Sequence, residues 1–134
     1  MTKAALIRFT IAIVLAGIAN DTIHIYYGHI VSDVTIYKPF INHMSFLTKS
    51  LEALGAGIVY YLLYDRLYFK SLIIKTFILA ILVCLIKDGF IRQPFMNILL
   101  GNSVIDSFYR ESQVWLSSLA MSFVLTFIIR PKIS

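Results

Sequence analysis

The chain has 134 residues, 59% of them hydrophobic and only 14% charged, with a net charge of +5. Soluble proteins run near roughly 45–50% apolar and about 25% charged, and the mean hydropathy of +0.82 departs in the same direction. One domain of this length has too little interior to hide so much apolar surface from water, so the composition excludes a soluble globular protein and makes the lipid bilayer a partner.

The positive balance raises nucleic acid as a second partner. Its twelve basic residues, however, form no run and stand at the ends of apolar segments. That is the distribution of charge that sets membrane topology, so no nucleic acid is expected. Cys84 is the one cysteine and sits inside an apolar segment. It excludes an internal disulfide, offers no metal-ligand spacing, and reads as a small core residue.

Four segments have the length of membrane spans, about 6–28, 46–64, 72–90 and 112–129, the last reaching back toward Ser107. Residues 1–134 thus read as a single all-α transmembrane domain, a four-helix bundle. In the first segment Lys3 and Arg8 precede an apolar run that ends in Gly17-Ile18-Ala19, the outline of a cleavable signal. Apolar character resumes at Ile23 and Ile25, which carries the segment to spanning length and favours a retained helix. At helical spacing Gly17, Asp21, His24 and Gly28 share one stripe, the mark of a membrane helix facing protein.

Between the first two spans, 29–45 reads as an outer loop. Asp65–Ser71 is a tight inner turn that makes the second and third spans antiparallel neighbours. In the next outer loop, Pro94 followed by a short apolar run predicts one or two helical turns lying at the interface. Asp106 is the expected cap of the last helix. Seven of the twelve basic residues, in the shorter loops, fall on the side of the N-terminus. The positive-inside rule then puts both termini in the cytoplasm.

The ionisable groups gather near the outer side. Asp21 and His24 close the first span, Glu52 lies in the second beside small residues, and Lys87, Asp88 and Arg92 close the third. An ionised carboxylate inside the hydrocarbon edge costs several kcal/mol unless it is paired or protonated. These six residues are therefore expected to form one polar cluster, with Glu52 and Asp21 facing Lys87 or Arg92 and His24 as a neighbour. Ser118, Ser122 and Thr126, at steps of four, make a second small polar stripe facing the bundle. The cluster has two readings. It locks helices in register, or it is a site for a ligand, proton or ion.

Other chemistry finds little support. Asp21, His24, His29 and His43 match no closed metal motif. There is no G-x-S-x-G around a serine and no glycine loop for phosphates. No metal, cofactor or catalytic residue is expected, and the chain reads as non-enzymatic.

The string Asp21-Thr22-Ile23-His24 and the glutamate followed by an aromatic run, Leu51-Glu52-Ala53-Leu54 to Val59-Tyr60-Tyr61-Leu62-Leu63-Tyr64, resemble the phosphate-starvation-inducible PsiE family. So does the basic-acidic pair Lys87-Asp88, although that family carries arginine deeper in the helix. The resemblance implies a small, four-span bacterial inner-membrane protein of the stress response, with no catalytic residues. Two further classes suit a short, basic, multi-span chain: an immunity protein that blocks a pore-forming bacteriocin, and a minor transport subunit with Glu52 or Asp21 as its proton site.

Overall fold

The structure is a computed structural model and describes residues 2–32, 43–87 and 92–129. It consists of α1 (Lys3–Ser32), α2 (His43–Leu67), α3 (Leu72–Ile86), α4 (Arg92–Leu99) and α5 (Val104–Ile128). No strand occurs among the described residues.

Local chemistry sets the helix ends. Ser71 and Ser103 are extended and cap α3 and α5, their hydroxyls accepting from the Ile74 N–H at 3.4 Å and the Asp106 N–H at 3.1 Å. The expected cap Asp106 is thus corrected to Ser103. Asp106 lies in the first turn, where its charge faces the positive end of the helix. α4 ends at Gly101, whose φ of +92° is strained for any residue with a Cβ. There the Gly101 N–H donates to the Ile98 carbonyl and the Asn102 N–H to the Asn97 carbonyl, the paired bonds of a Schellman motif.

Three helices are longer than the hydropathy pattern indicates. α1 runs on to Ser32 rather than stopping near residue 28, α2 covers His43–Leu67 rather than 46–64, and α5 begins at Val104, eight residues before 112. The expected turn Asp65–Ser71 is thereby corrected to residues 68–71. The extensions are polar or mixed, so apolar content under-reports them. In α5 the Ser103 cap starts a helix whose early turns carry Asp106, Ser107, Glu111 and Ser112. Pro94 lies near the start of α4, the short helix between α3 and α5.

α5 is the hub, packing against every other helix, while α1 and α3 make no close approach to each other. α1 lies antiparallel to both α2 and α5. The first relation follows from Gly17 against Ser50 and Gly57 against Ile13, the second from Tyr27 beside Ser112 and Asn20 beside Met121. α3 runs antiparallel to α5, joined near its start by the Thr76 and Thr126 hydroxyls 2.8 Å apart.

The burial pattern is inverted relative to a soluble protein. Large side chains such as Ile7, Ile11, Leu15 and Ile18 of α1, or Ile73, Phe77, Ile81 and Leu85 of α3, face outward. Alanines and polar groups occupy the interior, among them Ala12, Ala16, Ala53, Asn20, Ser118 and Ser122. In water such exposed faces would aggregate, and in lipid they are solvated. Lys3–Tyr27, Phe46–Leu67 and Val104–Ile128 are each long and apolar enough to cross a membrane. The chain is a helical membrane protein. α3 has 15 residues, about 22 Å at 1.5 Å per residue.

Candidate functional site: a charged junction of three helices

Glu52 is the centre of the polar cluster. On α2 it projects from a strip of small residues (Ala53, Ala56, Gly57) that lets α1 come close. Gly17 marks a close backbone approach in that crossing, since a Cβ there would stand 2.7 Å from Ser50 Oγ and 3.1 Å from its Cα. This approach carries Asn20, one turn further along α1, to the carboxylate. Asn20 Nδ2 donates to Glu52 Oε2 at 2.8 Å. Lys87, at the C-terminal cap of α3, reaches the same oxygen at 2.6 Å. Lys49 stands 3.4 Å from Oε1, one turn before Glu52 on α2.

One carboxylate therefore joins α1, α2 and α3. The side chains of Glu52 and Lys87 are 30% and 21% exposed, so the pair lies at the edge of the bundle and not at its centre. Lys87, in the short and charge-assisted contact, dominates. Lys49 holds the longer i, i+3 contact in the weaker Lys-before-Glu order. Asn20 is fully buried, and its amide also lies 3.5 Å from Met121 Sδ on α5. Because Nδ2 must face Glu52, the amide's orientation is set, and Oδ1 points away with no hydrogen-bond partner.

Asp21 is buried, and His24 is half-buried on the same side of α1. Lys49, Lys87, Glu52 and Asp21 all lie close enough to His24 to act on its charge. The His24 ring makes no ion pair with them, and its Nδ1 is buried without a partner. Its carbonyl accepts from Gln113 Nε2 at 2.7 Å, and the Tyr27 and Ser112 hydroxyls lie 2.9 Å apart. These bonds fasten the end of α1 to α5. Of the six expected residues, Asp21, His24, Glu52 and Lys87 come together. Asp88 and the side chain of Arg92 lie outside the described residues.

Asn20, Lys49 and Glu111 were not singled out by sequence reasoning. Asn20 stands one turn before His24 on the same helix face, and Lys49 one turn before Glu52. Glu111 is 7% exposed and continues the face of Ser118 and Ser122 toward the helix start. Extending each stripe by one or two turns is the signal that finds all three.

Glu52 already accepts from three donors, which makes it a poor general base. No group of three His, Cys, Asp or Glu side chains able to hold a metal occurs among the described residues. An open groove of about 520 Å³ lies elsewhere, between α1 and α3 on the outward face of α5, lined by Ile23, Tyr26, Phe77, Leu116 and Phe123 among others. It lacks the convergent polar groups of a cofactor site, since the Thr76 hydroxyl on its wall is engaged by the Leu72 carbonyl and Thr126. No family model matches the chain, and neither does any curated protein or solved structure.

Proposed function

We propose that the chain is a small, non-enzymatic, four-span protein of the bacterial inner membrane, of the PsiE-like stress-response type. In this reading both termini are cytoplasmic, and a polar cluster near the outer face locks the helices in register. The observation that carries it is convergence. Glu52 and Lys87, from two of the short motifs behind the resemblance, are far apart in the chain yet pair directly, and Asn20, the residue before the Asp21–His24 string, donates to the same carboxylate. The fourth span is α3. Its helix is short, but it runs from Thr76 beside Thr126 to Lys87 beside Glu52. A terminal lysine extends its reach toward the interface.

The lock and the physiological setting are tested in one strain. Glu52→Gln and Lys87→Met are each expected to lower the amount of protein in the membrane, and the exchange Glu52→Lys with Lys87→Glu to restore part of it. The transcript is expected to rise when phosphate is limiting. Full accumulation of both single variants sinks the lock, and a transcript indifferent to phosphate sinks the stress assignment.

A further inference from the structure

Hydroxyls buried in membrane helices ordinarily donate to a carbonyl three or four residues back. On α5 three of them do so: Ser107 to Ser103 at 2.7 Å, Ser117 to Val114 at 3.1 Å and Thr126 to Ser122 at 2.9 Å. Ser118 and Ser122 do not. Both are fully buried, and neither Oγ has a hydrogen-bond partner. The Cys84 thiol, a weak partner, lies beside Ser118. Two turns before Ser118, Glu111 is buried with Oε2 equally unpartnered.

Ser107, Glu111, Ser118, Ser122 and Thr126 follow one another at steps of four, seven, four and four, so they share one face of α5. That row is about 28 Å long at the helical rise, close to the roughly 30 Å of hydrocarbon it must cross. Small side chains face it from α3, where Thr76, Ala80 and Cys84 also repeat at steps of four. The charged groups of α3 and its cap are Lys87, which with Glu111 lies close enough to Cys84 to act on it, and Lys75, which sits 5.4 Å over the Tyr64 ring of α2. The described side chains of α4, Pro94 to Leu99, bring no titratable group. On α1 and α2, Asp21, His24, Lys49 and Glu52 stand at the junction end, and Lys3, Arg8, Asp65 and Arg66 at the opposite end.

Buried polar atoms without protein partners are satisfied by water. Neighbouring hydroxyls in the row stand about 6 Å apart along the axis, a gap that one bridging water closes. The widest interval, from Glu111 to Ser118, is about 10 Å and takes two. We propose that Glu111, Ser118 and Ser122 form a proton path through the bundle, entered at the Glu111 carboxyl and leaving by Thr126 and Thr76. At each step one O–H bond forms on the acceptor as another breaks on the donor, so charge moves and no group is consumed. The spacing selects the proton over a metal cation. A cation needs several oxygens converging within about 2.6 Å, whereas a proton needs one lone pair at a time.

The test uses the full-length purified protein in vesicles enclosing a pH-sensitive dye, with proton entry driven by a potassium diffusion potential. Wild type is expected to acidify the interior faster than empty vesicles do, and Glu111→Gln to fall to the empty-vesicle rate. Glu111→Asp keeps a carboxyl and is expected to retain flux. Ser122→Ala removes one hydroxyl of the relay and is expected to slow flux about fivefold or more. Gly55→Ala, where a Cβ meets no atom within 4 Å, is the control and stays at the wild-type rate. Each variant is checked for helicity and monodisperse elution, so that if Glu111→Gln misfolds, Ser122→Ala and Glu111→Asp decide. Wild type no faster than empty vesicles overturns the proposal. So does a folded Ser122→Ala or Glu111→Gln that conducts like wild type, or sodium entry as fast as proton entry.

Discussion

The α1–α2 crossing and the α3–α5 seam solve the same packing problem with different chemistry. Along the first, Gly17 meets Ser50 and Gly57 meets Ile13 and Phe9, among the buried alanines Ala12, Ala16, Ala53 and Ala56, and the helices approach because each glycine leaves room for the other helix. Along the second, Thr76, Ala80 and Cys84 meet Ser118, Ser122 and Thr126, small side chains that also carry polar atoms. Lipid is as apolar as leucine, so neither seam gains much from a hydrophobic drive. Close contact holds most of the first, with the Asn20–Glu52 bond at one end, and the second adds the Thr76–Thr126 bond within the seam. Added volume should therefore break the first, and loss of a polar atom should weaken the second.

The largest effect is expected at the crossing. Gly17→Leu must displace the backbone of Ser50 as well as its side chain, and overpacking of this kind should cost about 3 kcal/mol. Unfolding in mixed detergent micelles would measure it, and a variant as stable as wild type would remove the crossing from the account. Next comes the junction where the crossing ends. Glu52→Gln leaves Lys87 and Lys49 without their carboxylate, with an expected loss of about 2 kcal/mol, below the range for a fully buried pair because this one is partly exposed. Gly101→Ala should lose about 1 kcal/mol through its positive φ, read as a lower unfolding midpoint with α4 loosened on α5. Thr126→Val deletes the bond to Thr76 and should cost least, about 0.6 kcal/mol on the scale of hydrogen bonds between membrane helices. If Thr126→Val proves worse than Gly17→Leu, the contrast between the seams is inverted.

The membrane class and the small-residue faces were legible in the sequence because lipid solvation selects bulk composition and helical spacing, and both are local properties. The meeting of Asp21, His24, Glu52 and Lys87 at one end could be anticipated from charge balance within a bilayer edge. The choice of Lys87 as the close partner of Glu52, and of Asn20 as the third donor, could not. Each depends on the rotation of α1 and α3 about their axes, which is set by Gly17 against Ser50 and by Thr76 against Thr126, contacts with no one-dimensional signature. Helix ends were misjudged where polar residues continue a helix, as in the early turns of α5. There Ser103 rather than Asp106 supplies the cap, since both residue types suit that role and only backbone geometry separates them. Glu111 was passed over for the same reason. It lies in the polar stretch just before residue 112, and it is buried because the helix reaches back to Val104.

The central claim is that α2 and α3 are tied together at Glu52 and Lys87. A double-mutant cycle with Glu52→Gln, Lys87→Met and the double variant, followed by unfolding in micelles, tests it most directly. The account predicts that the two single losses do not add, with a coupling of about 1–2 kcal/mol. Losses that simply sum would mean that the two side chains stand side by side without holding the helices, and would contradict it.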